Sequence, residues 1–231
     1  MDRLAVVVGA GIAGLASAHA LSHLGYDVCV LEREPQLRSE GAGLTLWPNA
    51  TRALEELGLG DVVAATAHTV GEAVTLDPTG SVLTTMPLDR IAERFGSLVS
   101  VHRADLLEAL YERFRGETRF GVDVHMTDGV LQASGEAITA DLIVGADGIA
   151  SAVRDAVAPG VAPRLVGYAA WRGVVLSGHW TPKRASETIG RGQRFGLVPL
   201  RGDHTYWFAV LGDGVGSENL GSVRKLAPTD S

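Results

Sequence analysis

The sequence predicts a mixed α/β fold in which a parallel sheet covered by helices is joined to an antiparallel sheet. Three observations carry this. Residues 4–32 run as an apolar strand, a glycine-rich turn, an alanine-rich helix and a second apolar strand. A second strand, glycine turn and helix recur over residues 142–154. From Tyr168 onward the pattern changes to short strand-like segments separated by turn residues. The 231 residues are 46% hydrophobic, enough for a sizeable core in one or two domains. With 27 acidic and 20 basic residues the net charge is -7, so there is no broad basic footprint for nucleic acid or for an anionic membrane. Cys29 is the only cysteine, which excludes an internal disulfide and a C-x-x-C redox or zinc pattern and leads us to expect a cytoplasmic setting.

Taken in order, Leu4 to Val8 is a run suited to a strand buried on both faces, and Ile12 to Leu24 is a helical pattern closed by Gly25. The uncharged stretch Leu4 to Leu21 is not expected to be a signal or membrane segment, because three glycines, Ser17 and His19 interrupt it. Tyr26 to Leu31 is the second strand, and Pro35 to Gly43 a loop. Pro48 and Asn49 open a helix that ends before Gly58 and Gly60, and a short helix follows from Asp61. Glu72 to Met86 alternates around Asp77-Pro78-Thr79-Gly80 and reads as a hairpin. Leu98 to His102 is a strand. Arg103 to Arg115 is a helix with Leu106, Leu107, Leu110 and Phe114 on one face. Short strands are expected at Val122 to Met126, Val130 to Ala133, Ala137 to Thr139 and Leu142 to Ala146. Tyr168 to Leu176, Glu187 to Gly190, Phe195 to Leu200 and Thr205 to Leu211 form the antiparallel sheet, and residues 212–231, rich in Gly, Ser and Asp, are expected to be a flexible tail.

Gly9-Ala10-Gly11-Ile12-Ala13-Gly14 fits G-x-G-x-x-G between a strand and a helix, the setting that motif requires. Gly9 permits the tight turn, Gly11 lets a pyrophosphate approach the backbone, and Gly14 lets the helix pack on the strand, so that the anion sits at the helix N-terminus. Glu32 closes the second strand 18 residues after Gly14. Its carboxylate can accept from both ribose hydroxyls of an adenosine and would repel a 2′-phosphate, which favours FAD or NAD over NADP at this Rossmann-like unit. The second turn, Gly145-Ala146-Asp147-Gly148 followed by Ser151 and Arg154, is by itself either an Asp-Gly turn or a second cofactor contact.

With both turns, and with Arg103 in His102-Arg103-Ala104-Asp105-Leu106, the chain resembles the single-component FAD-dependent aromatic hydroxylases, a family of flavoprotein monooxygenases, over residues 4–211. Close matches are Gly41-Ala42-Gly43-Leu44-Thr45-Leu46-Trp47-Pro48-Asn49-Ala50, Gly167-Tyr168-Ala169-Ala170-Trp171-Arg172-Gly173 and Arg194-Phe195-Gly196-Leu197-Val198-Pro199-Leu200; Arg38-Ser39-Glu40 matches loosely. Within the family, the Trp-Pro-Asn segment and layout are most similar to the urate, salicylate and 3-hydroxybenzoate hydroxylases. The resemblance implies an FAD-binding domain over residues 1–70 and 98–163 and a substrate-domain sheet over 71–97 and 164–211. It implies that Ala13 and its glycines hold the pyrophosphate, Glu32 and Arg33 the adenosine, Thr45 and Arg103 the flavin side, and Val124 the adenine surroundings, with Asp147 near the ribityl chain and pyrophosphate. Arg194 and Tyr206 match substrate-contacting positions; read from the residues alone, they are equally a solvated face and a packed ring. The reaction implied is hydroxylation of a small aromatic or heteroaromatic substrate with NAD(P)H and O₂, with no separate nicotinamide-binding domain. No nucleic acid, membrane or metal is expected to take part.

The family also carries a third motif, Gly-Asp followed by Ala-Ala-His or similar, and it is expected to be absent here, leaving the substrate domain incomplete. Leu211-Gly212-Asp213-Gly214-Val215-Gly216 imitates its first letters directly after a sheet strand, where the family continues the substrate domain. Two readings stay open: an enzyme, with the missing part supplied by a complementing chain or lost only from the sequence as given, and a non-catalytic FAD- or ADP-binding remnant; the expected partner is a complementing chain or a second copy in a homodimer.

Overall fold

The computed structural model describes residues 3–38, 41–178 and 182–212. In chain order the strands are β1 (Arg3–Val8), β2 (Tyr26–Glu32), β3 (Gly43–Leu46), β4 (Ala67–Thr69), β5 (Glu72–Leu76), β6 (Val82–Pro87), β7 (Val99–His102), β8 (Glu117–Phe120), β9 (Val124–Thr127), β10 (Val130–Ala133), β11 (Glu136–Ile138), β12 (Leu142–Gly145), β13 (Tyr168–Leu176), β14 (Ala185–Ile189), β15 (Gln193–Pro199) and β16 (His204–Gly212). The helices are α1 (Ile12–His23), α2 (Pro48–Glu56), α3 (Gly60–Thr66), α4 (Leu88–Phe95), α5 (Arg103–Arg113) and α6 (Ala152–Val157).

A parallel sheet of order β12-β1-β2-β8 forms the centre of the N-terminal part. Strands buried on both faces are continuously apolar rather than alternating, and Ala5 to Val8 and Val28 to Leu31 are buried throughout. On one face Ala5, Val7, Val28 and Val30 pack with Ala18 and Leu21 of α1 and with Phe114; on the other Val6, Val8, Cys29 and Leu31 pack with Leu131, Ala133 and Val153. That second cover is the small antiparallel sheet β11-β10-β9 together with α6. α1 ends where expected, with Gly25 at φ +78 just past Leu24.

β3, β7 and β4 form a three-stranded antiparallel sheet that joins the parallel unit to the rest. β13-β16-β15-β14-β5-β6 form the six-stranded sheet. It is antiparallel except for the β14–β5 pair, which runs parallel because β5 comes from the earlier excursion of the chain at residues 72–87. In the β5–β6 turn Asp77 Oδ1 accepts from the backbone N–H groups of Thr79 and Ser81, which produces the expected hairpin.

Four elements were not anticipated from the sequence. β8, with the polar composition Glu-Thr-Arg-Phe, has no strand signature of its own and is held as the edge strand beside β2. β3 and β4 are short and exist through pairing with β7. α4 follows the hairpin directly and buries Leu88 beside Val70 and Leu98. The tail expected at residues 212–231 lies outside the described residues except for Gly212, the last residue of β16.

Candidate cofactor and substrate site

The glycine turn sits where β1 delivers the chain to α1. Gly9 has φ +104, a left-handed conformation that suits glycine, and its N–H donates to Leu31 O at 2.7 Å. A Cβ on Gly14 would fall on the carbonyl of Gly9, so helix and turn approach too closely for any side chain. Space around Gly11 is open. Gly11 is the N-cap of α1 and offers no side chain to its first-turn N–H groups, and that turn holds no acidic residue. Those unsatisfied donors, together with the positive end of the helix dipole, form an anion site of pyrophosphate character.

Across the turn, Glu32 Oε2 accepts from Ala10 N at 2.7 Å and Oε1 from Glu34 N at 3.0 Å. A carboxylate has about four acceptor positions, so two remain for a pair of ribose hydroxyls. Ala146 N donates to Val8 O at 2.8 Å and brings the second glycine turn alongside the first. There the Asp147 carboxylate faces its own helix: it accepts from Ser151 Oγ at 2.5 Å and from Ala152 N at 2.7 Å, while Ser151 Oγ accepts from Arg154 N at 2.9 Å. Asp147 therefore shapes the turn with its side chain.

These groups line one cleft of about 460 Å³ that brings together Gly9, Gly11, Glu32, Arg33, Arg103, Val124 and Asp147. Its wall also includes Arg38 of the loosely matching segment and Leu107 of the leucine face of α5, together with Gln36, His125 and Ile149, whose only sequence signal is position beside a motif or alternation along β9. Ala13 lies in the first turn of α1, Gly14 is buried beneath the turn, and Thr45 pairs with Ser100 between β3 and β7; none of these three lines the cleft. The uncapped helix N-terminus, the fixed Glu32 carboxylate and the open space at Gly11 fit the diphosphate and adenosine half of FAD.

Arg194 and Tyr206 lie on β15 and β16, neighbouring strands whose register pairs Arg194 with Val210 and Tyr206 with Val198. Tyr206 is 9% exposed, packed with Val198, Leu200 and Phe208 and pressed onto Gly43, where a Cβ would fall on its Cβ and Cγ. Burial pushes its phenol above the ordinary value of 10.0. Arg194 Nη1 stands 3.1 Å from Glu187 Oε1, an ion pair lacking the alignment of a hydrogen bond, and the arginine side chain is 48% exposed. Gly43 belongs to the segment that also passes the cofactor cleft: Ala42 O accepts from Arg103 N at 3.0 Å, and Gly41 packs against Arg103 and Ala104. The segment Gly41 to Gly43 thus touches Arg103, which lines the cleft, and Tyr206 of the six-stranded sheet.

Among the described residues no group of His, Cys, Asp and Glu could hold a metal ion, and no helix is long and apolar enough to cross a membrane.

Residues 3–219 match the family model described as FAD binding domain. Among curated proteins the chain is 35% identical to an aurachin C monooxygenase/isomerase of Stigmatella aurantiaca, aligned over 89% of this chain and 56% of that protein. It is 36% identical to a 3-amino-4-hydroxybenzoate 2-monooxygenase of Streptomyces cremeus, over 96% of this chain and 61% of the relative. Among solved structures, Klebsiella pneumoniae HpxO complexed with FAD and uric acid superposes with a TM-score of 0.81 at 27% identity, covering 95% of this chain and 60% of HpxO. The chain thus spans a little under two thirds of the length of these relatives. A family match over nearly the whole chain agrees with a cleft whose donors and acceptors suit that dinucleotide, and the protein belongs to the FAD binding domain family.

Proposed function

We propose that this chain is the FAD-binding and substrate-sheet part of a monooxygenase that hydroxylates a small aromatic or heteroaromatic substrate with NAD(P)H and O₂. The observation that carries the reading is the segment Gly41 to Gly43, which leads into β3 and touches Arg103 of the cofactor cleft on one side and Tyr206 of the sheet on the other. Such a link suits a cofactor whose reactive end works on a ring lying against the sheet. When bound, FAD takes reducing equivalents from NAD(P)H and, with O₂, supplies the oxygen added to the ring. The chain's own residues hold and orient: the α1 N-terminus and glycine turn the diphosphate, Glu32 and Arg33 the adenosine, Val124 its base, and Thr45 and Arg103 the flavin side. Asp147 shapes the turn beside the ribityl chain. Arg194 and Tyr206 contact the substrate from the sheet. Residues 1–70 and 98–163 form the cofactor domain in this reading, and 71–97 and 164–211 the substrate sheet. The lone, buried Cys29 and the relatives' use of small aromatic compounds support a cytoplasmic enzyme.

A second reading is an FAD- or ADP-binding unit that needs a complementing chain, or a second copy of itself, for catalysis. The outer side of β12 favours it. β12 is the edge of the parallel sheet among the described residues.

Calorimetry of the purified chain with FAD, FMN and ADP tests the cofactor assignment. The ADP half should carry most of the affinity, so ADP should compete with FAD; binding of FMN as tight as FAD, with none for ADP, would overturn it.

A further inference from the structure

Ser100 is an unexpected residue for the middle of β7. It lies between Val99 and Val101 and is fully buried, where a hydroxyl that finds no partner costs more than an apolar side chain would. Register accounts for it. Gly43 stands opposite His102, and Thr45 and His68 stand opposite Ser100. Directly opposed residues share a face and alternate residues along a strand return to it, so Gly43, Thr45, His68 and Ser100 occupy one side of the three-stranded sheet. Val99 and Val101 turn to the other side, into the core that holds Leu46, Leu54 and Leu106.

The six-stranded sheet meets the Ser100 side at two points. The Tyr206 ring lies on Gly43. Ser100 Oγ donates to Pro199 O; the hydroxyl has one proton, and the other carbonyl within reach, His68 O, is farther away at 3.4 Å. Pro199 is fully buried and follows Val198, the residue that pairs with Tyr206 across β15 and β16. One hydroxyl of β7 thus fastens the strand beside Tyr206, and β7 runs on directly into Arg103 of the cleft. A third tie, from Arg201 Nη1 to Ala65 O near the end of α3, is exposed, so water competes for both of its groups. The Ser100 bond is buried, and no water replaces it when the hydroxyl is removed.

We propose that Ser100 is a positioning residue: by holding Pro199 it keeps Tyr206 seated on Gly43, and so fixes where the sheet stands relative to Arg103 and the cofactor cleft. The assignment rests on the monooxygenase reading, in which Tyr206 contacts the substrate.

Nitration by tetranitromethane on the FAD-loaded chain, read tyrosine by tyrosine with mass spectrometry, is the test. Tyr206 is 9% exposed and should be protected, with Tyr168, 56% exposed, as the internal reference. Ser100→Ala should raise nitration of Tyr206 relative to Tyr168 by about two- to tenfold, the factor that one buried hydrogen bond supplies. Its FAD affinity should stay within about twofold, because Ser100 does not line the cleft. Ser100→Thr keeps the hydroxyl and should keep Tyr206 protected. Leu54→Ala opens a cavity on the other side of β7 and controls for general loosening: it should lower the urea midpoint and leave Tyr206 protected. Unchanged nitration in Ser100→Ala, an equal rise in Leu54→Ala, or loss of FAD binding along with the rise would overturn the assignment. Should the added methyl keep Ser100→Thr from folding, the comparison of Ser100→Ala with Leu54→Ala still decides. An unmodified chain that takes up no FAD overturns the monooxygenase reading, while nitration of the unliganded chain still judges whether Ser100 seats Tyr206.

Discussion

Glu32 and Gly43 show how far a single residue can be read. Glu32 is legible because its role is set by spacing: a carboxylate at the end of β2 must face the turn that follows β1, and it does, through Ala10 N and Glu34 N. Replacing it with lysine removes both acceptors proposed for the ribose and puts a positive charge against backbone donors. Glu32→Lys should therefore weaken FAD binding by about 1.5–3 kcal/mol, the range for a hydrogen bond to a charged group. Calorimetry against the unmodified chain checks this, and unchanged affinity in a folded variant would refute the ribose assignment. Gly43 was legible only as one letter of a matched segment. The reason for glycine there is the Tyr206 ring, a neighbour distant in sequence. Gly43→Ala forces that ring or the β3 backbone to move, and overpacking of this kind typically costs about 1–3 kcal/mol. Urea unfolding should show a lower midpoint, and a midpoint equal to that of the unmodified chain would mean that the contact is not tight.

At the level of elements, local chemistry made helices easier to anticipate than short strands. α1 announces itself by its glycine turn and its Gly25 terminator, and α5 by its leucine spacing. β8 does not, because Glu-Thr-Arg-Phe pairs with β2 on one side only and needs no apolar character on its exposed residues. α6 sits between these cases: it is short, and its start depends on a capping pair rather than on periodicity. Ser151 Oγ accepts from Arg154 N and donates to Asp147, so Ser151→Ala removes the helix cap and frees one oxygen of the Asp147 carboxylate. Loss of an N-cap side chain costs about 0.5–2 kcal/mol. The variant should unfold at lower urea concentration, and because Ala146, Asp147 and Gly148 of the turn line the cleft, FAD affinity should fall with it. A stability loss with FAD affinity untouched would show that the turn holds its shape without the cap.

For the whole molecule, the decisive feature is a cofactor cleft and a six-stranded sheet joined through the segment Gly41 to Gly43, with Arg172 and Arg194 of the sheet exposed. Oxygen transfer to a ring competes with reduction of O₂ to H₂O₂, and exclusion of water favours the first. The 231-residue chain, assayed alone with urate, salicylate or 3-hydroxybenzoate, is therefore expected to consume NAD(P)H with little hydroxylated product. Product should rise when a fragment bearing the Gly-Asp-Ala-Ala-His type of motif is added. Tight coupling by the chain unaided would show that these residues already close the site. The sequence alone determined the βαβ unit, its anion-binding turn and the carboxylate opposite, because turn, helix start and strand order are set by neighbours within a few tens of residues. Only the tertiary structure decided that Asp147 turns its carboxylate into α6, that Tyr206 is seated on Gly43, and that Glu187 pairs with Arg194. Those outcomes depend on strand register and on contacts between segments far apart in the chain, which fall into place only once the sheets have formed and packed.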